Sequence, residues 1–315
     1  MAAGASSSFS KVITGLTPNT VYYYKAYVVE DSEEVLGSEQ YFTTPVGWLE
    51  LPAVSGGEDF VGRFYGSGST AGTNRNYSYY YNYTYYASMW VAYPLCGTHK
   101  SGNPPKGSWA YNPNISYNTP NRQVKVTSSS YPTMYDAADY ARGHQCPNAS
   151  RKSDDQMNAQ TYYVTNQTPQ LQDKFNGSIW GSLETAVRSL VSSATDSVYV
   201  VTGPVYRKAG GSETINYLSG AAGKNANPSS LPIPNYYWKA ILKVKRNGAG
   251  IITSASAIGF WFDHREYTDS EKYYNFTVSV DQIEAWTGFD LFTNLPVALQ
   301  TTAEANTSWD SFSSF

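Results

Sequence analysis

The chain has 315 residues, of which 41% are apolar and 15% are charged, and its formal net charge at pH 7 is −3. This apolar content excludes a chain that is disordered throughout, and no apolar run is long enough to span a bilayer. The slightly acidic balance disfavours a tight nucleic-acid-binding protein, because such proteins are usually basic. An enzyme that must release its polymer needs only a local basic cleft, so that class stays open.

Residues 1–45 predict short β-strands and carry no residues suited to chemistry. Alternation marks 9–13, a Tyr-rich run covers 21–29, and 39–43 predicts an edge strand. The pattern Leu-x-Pro-x-Thr-x-Tyr-x-Tyr-x-Ala, which begins at Leu16, resembles the second half of a fibronectin type III domain, with Tyr22 as the corner tyrosine. The segment is interpreted as a partial, all-β, fibronectin III-like piece; a generic hairpin appendage is the alternative.

Localisation is inferred from the same segment. Residues 1–5 have neither the basic start nor the apolar core of a secretory signal peptide. The fibronectin-like pattern favours an exported protein, so we expect a secreted, periplasmic or cell-surface location with a signal segment that precedes this sequence.

A segment punctuated by glycine and proline, residues 46–73, is interpreted as a linker. After it, the Tyr-rich run 76–93 predicts two β-strands joined near Asn82. Its tyrosines are expected to pair across a half-buried sheet; stacking on nucleobases is the alternative. The stretch 97–128 predicts a loop, in which Lys106 is either a solvated surface charge or part of a phosphate groove.

Residues 139–184 hold the polar side chains best suited to catalysis. Arg142 and His144 flank Gly143, which permits an unusual backbone turn. A neutral His can act as a base near pH 7, and an Arg can neutralise charge on a phosphate. A hard cation such as Mg²⁺ keeps most of its waters and needs as few as one protein oxygen. Amides and one carboxylate follow at Asn166, Gln170, Asn176 and Glu184.

The other histidines and the cysteines give weaker signals. His99 lies in a Gly/Pro-rich loop and His264 among charged residues, and both are interpreted as structural. Cys96 and Cys146 are not spaced as a metal clip. They form either one disulfide or two free thiols.

The rest of the chain predicts a mixture of helices and strands. Helices are expected over 180–193 and over 279–288, where a serine begins the second helix and a glycine ends it. The segment 207–230 predicts a loop, and the polar tail 301–315 is expected to fray. Strands are expected over 196–202, 236–244 and 250–262.

The stretch 139–184 resembles the signature of the DNA/RNA non-specific endonucleases, the ββα-metal (His-Me finger) nucleases that include endonuclease G. That signature is Asp-Arg-Gly-His, then Asn-x-x-Pro-Gln, then an Asn ahead of a Trp and a Leu-Glu pair on a helix. Further blocks in the same order extend the resemblance over most of 74–300. Ala141 departs from the pattern, because it stands where the signature has Asp. The matching positions here are 142–144, 166–170, Asn176, Trp180 and 183–184.

The resemblance implies an α+β fold with a central antiparallel sheet, in an endonuclease domain over 74–315. It also implies Mg²⁺-dependent cleavage of DNA and RNA that leaves 5′-phosphate ends, with Mn²⁺ as the alternative ion. His144 would be the general base and Asn176 the direct metal ligand. Arg142 and Asn166 would contact the phosphate and the transition state, and Glu184 would hold a metal-bound water. Substrate binding would involve Arg151, Lys106 and Gln170.

Two other interpretations stay open at this point. One is a binding or adhesion module whose nuclease-like domain is catalytically degenerate. Ala141 and the charge balance of residues 46–315, which hold 20 basic and 20 acidic residues, keep this interpretation open. The other is a periplasmic phosphodiesterase for small nucleotides, which requires a closed pocket. The sequence gives no indication of the oligomeric state.

Overall fold

The computed structural model describes residues 13, 16, 21–30, 33–43, 47–53, 60–68, 74–115, 123–124, 126, 139–219 and 230–315. The chain divides into two compact units, Met1–Trp48 and Leu49–Phe315. Within the described ranges, no helix combines the length and apolar character needed to cross a membrane.

The described part of the first unit consists of short strands in two antiparallel pairs. Strand β1 (Val21–Tyr24) pairs with β4 (Gln40–Thr43), and β2 (Tyr27–Glu30) pairs with β3 (Glu33–Leu36). The run predicted as one strand over 21–29 is therefore two strands, and Ala26 between them accepts a backbone hydrogen bond from Gly37 (2.7 Å). The strand predicted over 9–13 lies outside the described residues except for residue 13.

Among the described residues, the second unit is built on a seven-stranded sheet in which all neighbouring strands are antiparallel. The central antiparallel sheet expected from the sequence is thus confirmed. Numbered along the chain, its strands run from one edge to the other as β15 (Thr277–Val278), β14 (Ile252–Asp263), β13 (Tyr236–Arg246), β10 (Ser197–Val205), β7 (Ala87–Cys96), β6 (Arg75–Asn82) and β5 (Phe60–Tyr65).

Strand β5 lies within the segment interpreted as a linker, so that interpretation is wrong for residues 60–65. The strand pairs with β6, and Phe64 is buried against Tyr77 and Tyr79. Glycines obscured the strand in the sequence. Gly62 is required there because a Cβ would lie 2.2 Å from the hydroxyl oxygen of Tyr79.

The tyrosine-rich hairpin β6–β7 is confirmed, and its tyrosines are core residues. Tyr77, Tyr79 and Tyr81 alternate along β6 and are almost fully buried. On the other face, Tyr80 stacks on Trp90 with ring centroids 6.0 Å apart. Pairing within the sheet therefore explains this run.

A second hairpin, followed by a helix, forms a ββα arrangement. Strand β8 (Tyr140–His144) pairs antiparallel with β9 (Gln167–Leu171). Helix α1 (Asp155–Gln160) lies in the connection between them. Strand β9 runs directly into a π-helical segment, Gln172–Trp180, and then into α2 (Gly181–Ser189).

The C-terminal region is ordered, so the prediction of a frayed tail is wrong. Helix α4 (Val297–Glu304) is followed by α5 (Trp309–Ser314), and the side chain of Phe312 is 0% exposed in the main core. The burial of Phe312 and the contact of Trp309 with Phe260, at 5.7 Å between ring centroids, outweigh the polar composition here. Helix α3 (Val280–Thr287) has the predicted ends: the Ser279 side chain caps Gln282 N (3.0 Å), and Gly288 adopts φ +76°.

The segment predicted as a loop over 207–230 contains a short strand. Strand β11 (Asn216–Ser219) pairs antiparallel with β12 (Ser230–Ile233), and residues 220–229 lie outside the described part. Leu218 and Leu231 are buried in a small separate cluster with Val164. This contact explains why a glycine- and serine-rich stretch still forms a strand.

Candidate active site

The hairpin β8–β9 separates the signature residues onto two faces. Successive side chains of a strand point to opposite faces, so Arg142 and His144 share one face and Ala141 and Gly143 the other. Gln170 is the cross-strand partner of Ala141 and therefore lies on the Ala141 face. The hairpin thus brings Arg142 and His144 together.

His144 is held between two aromatic rings. Its ring centroid lies 4.9 Å from that of Trp109 and 5.0 Å from that of Tyr162, which it meets edge-on at 90°. Tyr162 is held in turn, because Asn148 Nδ2 donates a hydrogen bond to its hydroxyl (2.7 Å). The Nε2 atom is covered and has no hydrogen-bond partner among the described residues. Burial lowers the pKa of His144 to about 4, so the ring is neutral at pH 7 and can accept a proton.

Positive charge surrounds the same aromatic residues. The guanidinium carbon of Arg142 lies 5.7 Å from the centre of the Trp109 ring. Lys106 is exposed and lines an open cavity together with Lys152 and Tyr162. Because Tyr162 also contacts His144, this cavity adjoins the histidine. An anionic phosphate approaching His144 would therefore meet a cationic surface.

Gln170 does not reach this surface, so its assignment to substrate binding is wrong. Its side chain is 0% exposed, and both amide heteroatoms are buried with no hydrogen-bond partner among the described residues. The amide lies over Gly143, where a Cβ would stand 2.1 Å from Gln170 Cδ. The alternation of the strand explains the error, since residues 141, 143 and 170 share the face opposite His144.

The predicted phosphate contact of Asn166 is also wrong. Asn166 is 0% exposed, and its side chain is fully used by the backbone. Its Oδ1 accepts from Cys146 N (2.8 Å), and its Nδ2 donates to Cys146 O (2.9 Å) and to Thr161 O (2.8 Å). These bonds fix the backbone at Cys146, two residues after His144, so Asn166 helps to position the histidine.

Arg151, predicted to bind phosphate, lies inside the protein. Its side chain is 0% exposed and its guanidinium carbon lies 4.9 Å from the centre of the Tyr93 ring. Its N–H groups donate to Asn76 Oδ1 (2.7 Å) and to the backbone oxygens of Asn76 (2.8 Å), Pro94 (2.8 Å) and Ser150 (2.6 Å). The prediction is wrong because these acceptors occupy a guanidinium that no polymer can reach.

Asn176 sits in the π-helical segment 172–180, which packs against both strands of the hairpin. Such segments are rare and occur frequently at functional sites. Its side chain is half-buried and forms no hydrogen bond with the described part of the chain. An amide oxygen without a protein donor suits a hard cation, which binds oxygen ligands and keeps several waters. The residues present therefore fit a Mg²⁺-type ion.

Glu184 lies in the first turn of α2 with its side chain 17% exposed. Burial raises the pKa of this carboxyl, and the charges of Lys239 and Arg188 oppose the rise. A carboxylate next to two cations can hold a metal-bound water without being fully exposed.

Two cations in this region were missed by the sequence reasoning. Arg188 Nη1 lies 3.9 Å from Glu184 Oε2, at the i,i+4 spacing that could have identified it. Lys239, on β13, is 0% exposed, and its Nζ lies 4.6 Å from the centre of the Trp180 ring. Burial lowers the pKa of Lys239 to about 8. A lysine inside a strand gives no sequence signal of this kind, because its partner Glu184 is distant in the chain.

The remaining histidines and both cysteines have structural positions. His264 Nδ1 lies 2.8 Å from Pro234 O, and its Nε2 accepts a hydrogen bond from Leu171 N (3.0 Å). His99 Nδ1 accepts from Cys96 N (3.2 Å). Cys96 and Cys146 are free thiols. The structural interpretation of the two histidines agrees with these contacts.

A comparison with protein families finds one match over most of the second unit. The family described as DNA/RNA non-specific endonuclease matches residues 61–298. This range includes residues 61–65 of β5 and begins before residue 74.

Individual relatives show the same similarity. A protein named Nuclease from a Nostoc species is 30% identical over 240 residues, which cover 73% of this chain and 75% of the relative. Nuclease EXOG, mitochondrial, from Danio rerio is 28% identical over 289 residues, which cover 89% of this chain and 71% of the relative. A chain in the crystal structure of the EndoG/EndoGI complex has a TM-score of 0.55 at 19% identity, covering 71% of this chain and 86% of that chain. That last likeness shows a shared fold.

Proposed function

Because the chain belongs to the DNA/RNA non-specific endonuclease family and is a hydrolytic endonuclease, we propose that it cuts both DNA and RNA with His144 as the general base and a Mg²⁺ ion bound at Asn176. The observation that carries the proposal is the neutral His144, which shares one hairpin face with Arg142 beside the segment that bears Asn176. The products would carry 5′-phosphate ends. Affinity would come from phosphate contacts, so base preference should be slight.

The chain's own residues account for the proton and charge movements. His144, neutral at pH 7, takes a proton from the attacking water. Arg142 balances negative charge that grows on the non-bridging oxygens. Glu184 would hold a water of a bound ion, and the positive charges of Lys239 and Arg188 favour its carboxylate form. Asn176 would hold the divalent cation, which would supply stabilisation of the negative charge that develops during cleavage.

The alanine at position 141 is compatible with activity. Its side chain points to the face that carries Gln170, away from Arg142 and His144. A missing carboxylate on that face leaves the His144 face intact. This placement favours a working nuclease over a degenerate binding module.

The proposal is tested with plasmid DNA and a structured RNA, each incubated with Mg²⁺, with Mn²⁺ or with EDTA. We expect both substrates to be cut with either ion and to survive in EDTA. Substrates that stay intact in both Mg²⁺ and Mn²⁺ would refute the proposed endonuclease activity. His144→Ala should abolish cleavage and Asn176→Ala should reduce it and weaken its Mg²⁺ dependence. The matched control is Asn275→Ala, an exposed asparagine in the turn 273–276.

The interpretations of the N-terminal segment remain proposals. We propose that residues 1–45 are fibronectin III-like and that the protein is exported; the described strands of this unit are all β. We further propose that the nuclease domain needs β5. A chain starting at residue 49 should retain activity, whereas one starting at 74 should lose stability because it lacks the edge strand. Equal stability of the two would place the boundary at 74. Fractionation of the source cells tests export.

A further inference from the structure

Away from the hairpin and α2, three carboxylates converge between helices α3 and α4. Asp281 and Glu284 lie on α3, and Glu304 is the last residue of α4. One oxygen from each residue lies within 4.8 Å of the others. Both helices pack against β14, so the sheet fixes their relative positions. The cluster therefore belongs to a rigid part of the fold.

Glu304 is the unusual member of the cluster. Its side chain is 7% exposed, and its Oε1 is covered and has no hydrogen-bond partner among the described residues. A buried carboxylate oxygen without a partner is strongly disfavoured. Because this side chain contributes an oxygen to the group shared with Asp281 and Glu284, a cation between them would satisfy it.

The other two carboxylates complete an open-sided site. Asp281 is exposed, which gives an ion a path from solvent. Glu284 Oε1 accepts a hydrogen bond from Leu291 N (2.7 Å), which orients its carboxylate and leaves Oε2 for a ligand. Asp290 adds a fourth negative charge nearby. Burial, followed by the neighbouring carboxylates, raises the pKa of Glu304 to about 7, as expected where acidic groups converge without a counter-charge.

We propose that Asp281, Glu284 and Glu304 bind a Ca²⁺ ion that joins helix α3 to helix α4. Oxygen ligands lie about 2.4 Å from Ca²⁺, so oxygens that all lie within 4.8 Å of one another can share one Ca²⁺ ion. Mg²⁺ loses its waters reluctantly and is seldom bound by three protein carboxylates. Ca²⁺ accepts several carboxylates in irregular geometry, with waters completing its shell.

The test is thermal unfolding of the full chain with and without CaCl₂, together with calorimetric titration of CaCl₂. Measurements in an Asn176→Ala background exclude binding at the proposed nuclease site. Millimolar Ca²⁺ should raise the Tm by at least about 3 °C in the wild type and in Asn176→Ala. Because this readout does not involve cleavage, it is independent of the nuclease proposal.

Two variants and one control make the assignment specific. Glu304→Gln keeps the shape of the side chain and should lose the Ca²⁺-induced rise in Tm. Asp281→Asn is exposed and should fold normally, and it should lower the Ca²⁺ affinity at least tenfold. The control Asp269→Asn removes an exposed carboxylate outside the cluster and should respond as the wild type does. No Tm rise in the wild type, or an unchanged response in Asp281→Asn, would overturn the proposal.

Discussion

Gly143 is a position at which a single added methyl group should disturb the candidate site. A Cβ there would lie 2.1 Å from Gln170 Cδ and 2.2 Å from Gln170 Oε1, whereas ordinary contact begins at 3.4 Å. Gly143→Ala must therefore separate the two by about 1.3 Å (3.4 − 2.1). Gln170 is fully buried and cannot swing into solvent, so strand β8 must move.

The movement is transmitted to Arg142 and His144, which neighbour Gly143 in the chain. A displacement of about 1 Å in a catalytic group lowers a rate about 100-fold. We expect Gly143→Ala to lower kcat/KM for DNA cleavage by that factor, and the free energy of unfolding by about 1–3 kcal/mol. The assay is initial-rate cleavage of a fluorescent duplex, combined with urea unfolding.

A second substitution separates crowding from other effects. Gln170→Ala removes the atoms that a Cβ at position 143 would meet, so the double variant Gly143→Ala/Gln170→Ala should recover most of the lost rate. Gly248→Ala is the matched control, because a Cβ there meets nothing within 4 Å. Full activity of Gly143→Ala, or a double variant as inactive as Gly143→Ala, would refute this reasoning.

Three further predictions concern stability. Burial lowers the pKa of His144 and His264 to about 4 and that of His99 to about 3, so their contribution to the free energy of unfolding should be fully present above pH 6.5 and be lost as pH falls toward 4. The carboxyls of Glu284 and Glu304, with pKa values raised to about 7, act in the opposite direction over this range. The histidine contribution is therefore measured as the difference between the wild type and His264→Phe in urea titrations at pH 7, 5.5 and 4.5, and a difference that does not change with pH would contradict this. Arg151→Lys should lower the free energy of unfolding by about 3–5 kcal/mol, because a lysine cannot serve all the buried acceptors of the guanidinium, and KM for DNA should not change. A higher KM at unchanged Tm would instead support a phosphate-binding role. Phe312→Ala should cost about 3–5 kcal/mol, while Val297→Ala, at a side chain 79% exposed, should cost less than about 0.5, and equal effects would contradict an ordered C-terminus.

Much of the fold could be predicted from the sequence because its signals are local. The β6–β7 hairpin follows from alternating tyrosines around Asn82, and helix α3 from Ser279 and Gly288 at its ends. Strand β5 and helix α5 were missed because their support is not local. Phe64 packs against β6, and Phe312 lies in the main core, far from its neighbours in sequence.

For the candidate site, the types of residue could be predicted from the sequence, but the directions and surroundings of most side chains could not. Arg142 and His144 are two residues apart on a strand, so their shared face could be predicted. Asn166 and Asn176 look alike in sequence. The side chain of Asn166 is hydrogen-bonded to the backbone of Cys146 and Thr161, whereas that of Asn176 is half-buried without such bonds. Arg151 likewise differs from Arg142 only in what surrounds it.

Some buried polar groups near the candidate site have hydrogen-bond partners in the protein, and others do not. The amide of Asn166 and the guanidinium of Arg151 have their protein partners, and they hold the loop and strands that carry His144. Among the described residues, buried side-chain atoms without a hydrogen-bond partner include His144 Nε2, the Gln170 amide and Lys239 Nζ in this region, and others such as Glu50 Oε2 and Glu304 Oε1 elsewhere. Unsatisfied buried groups destabilise a fold, and such strain is retained mainly where function requires it. Burying the ammonium group of Lys239 costs free energy, because burial lowers its pKa to about 8. Replacing Lys239 by Met should therefore stabilise the protein in urea unfolding while impairing cleavage, because Glu184 would lose a neighbouring positive charge.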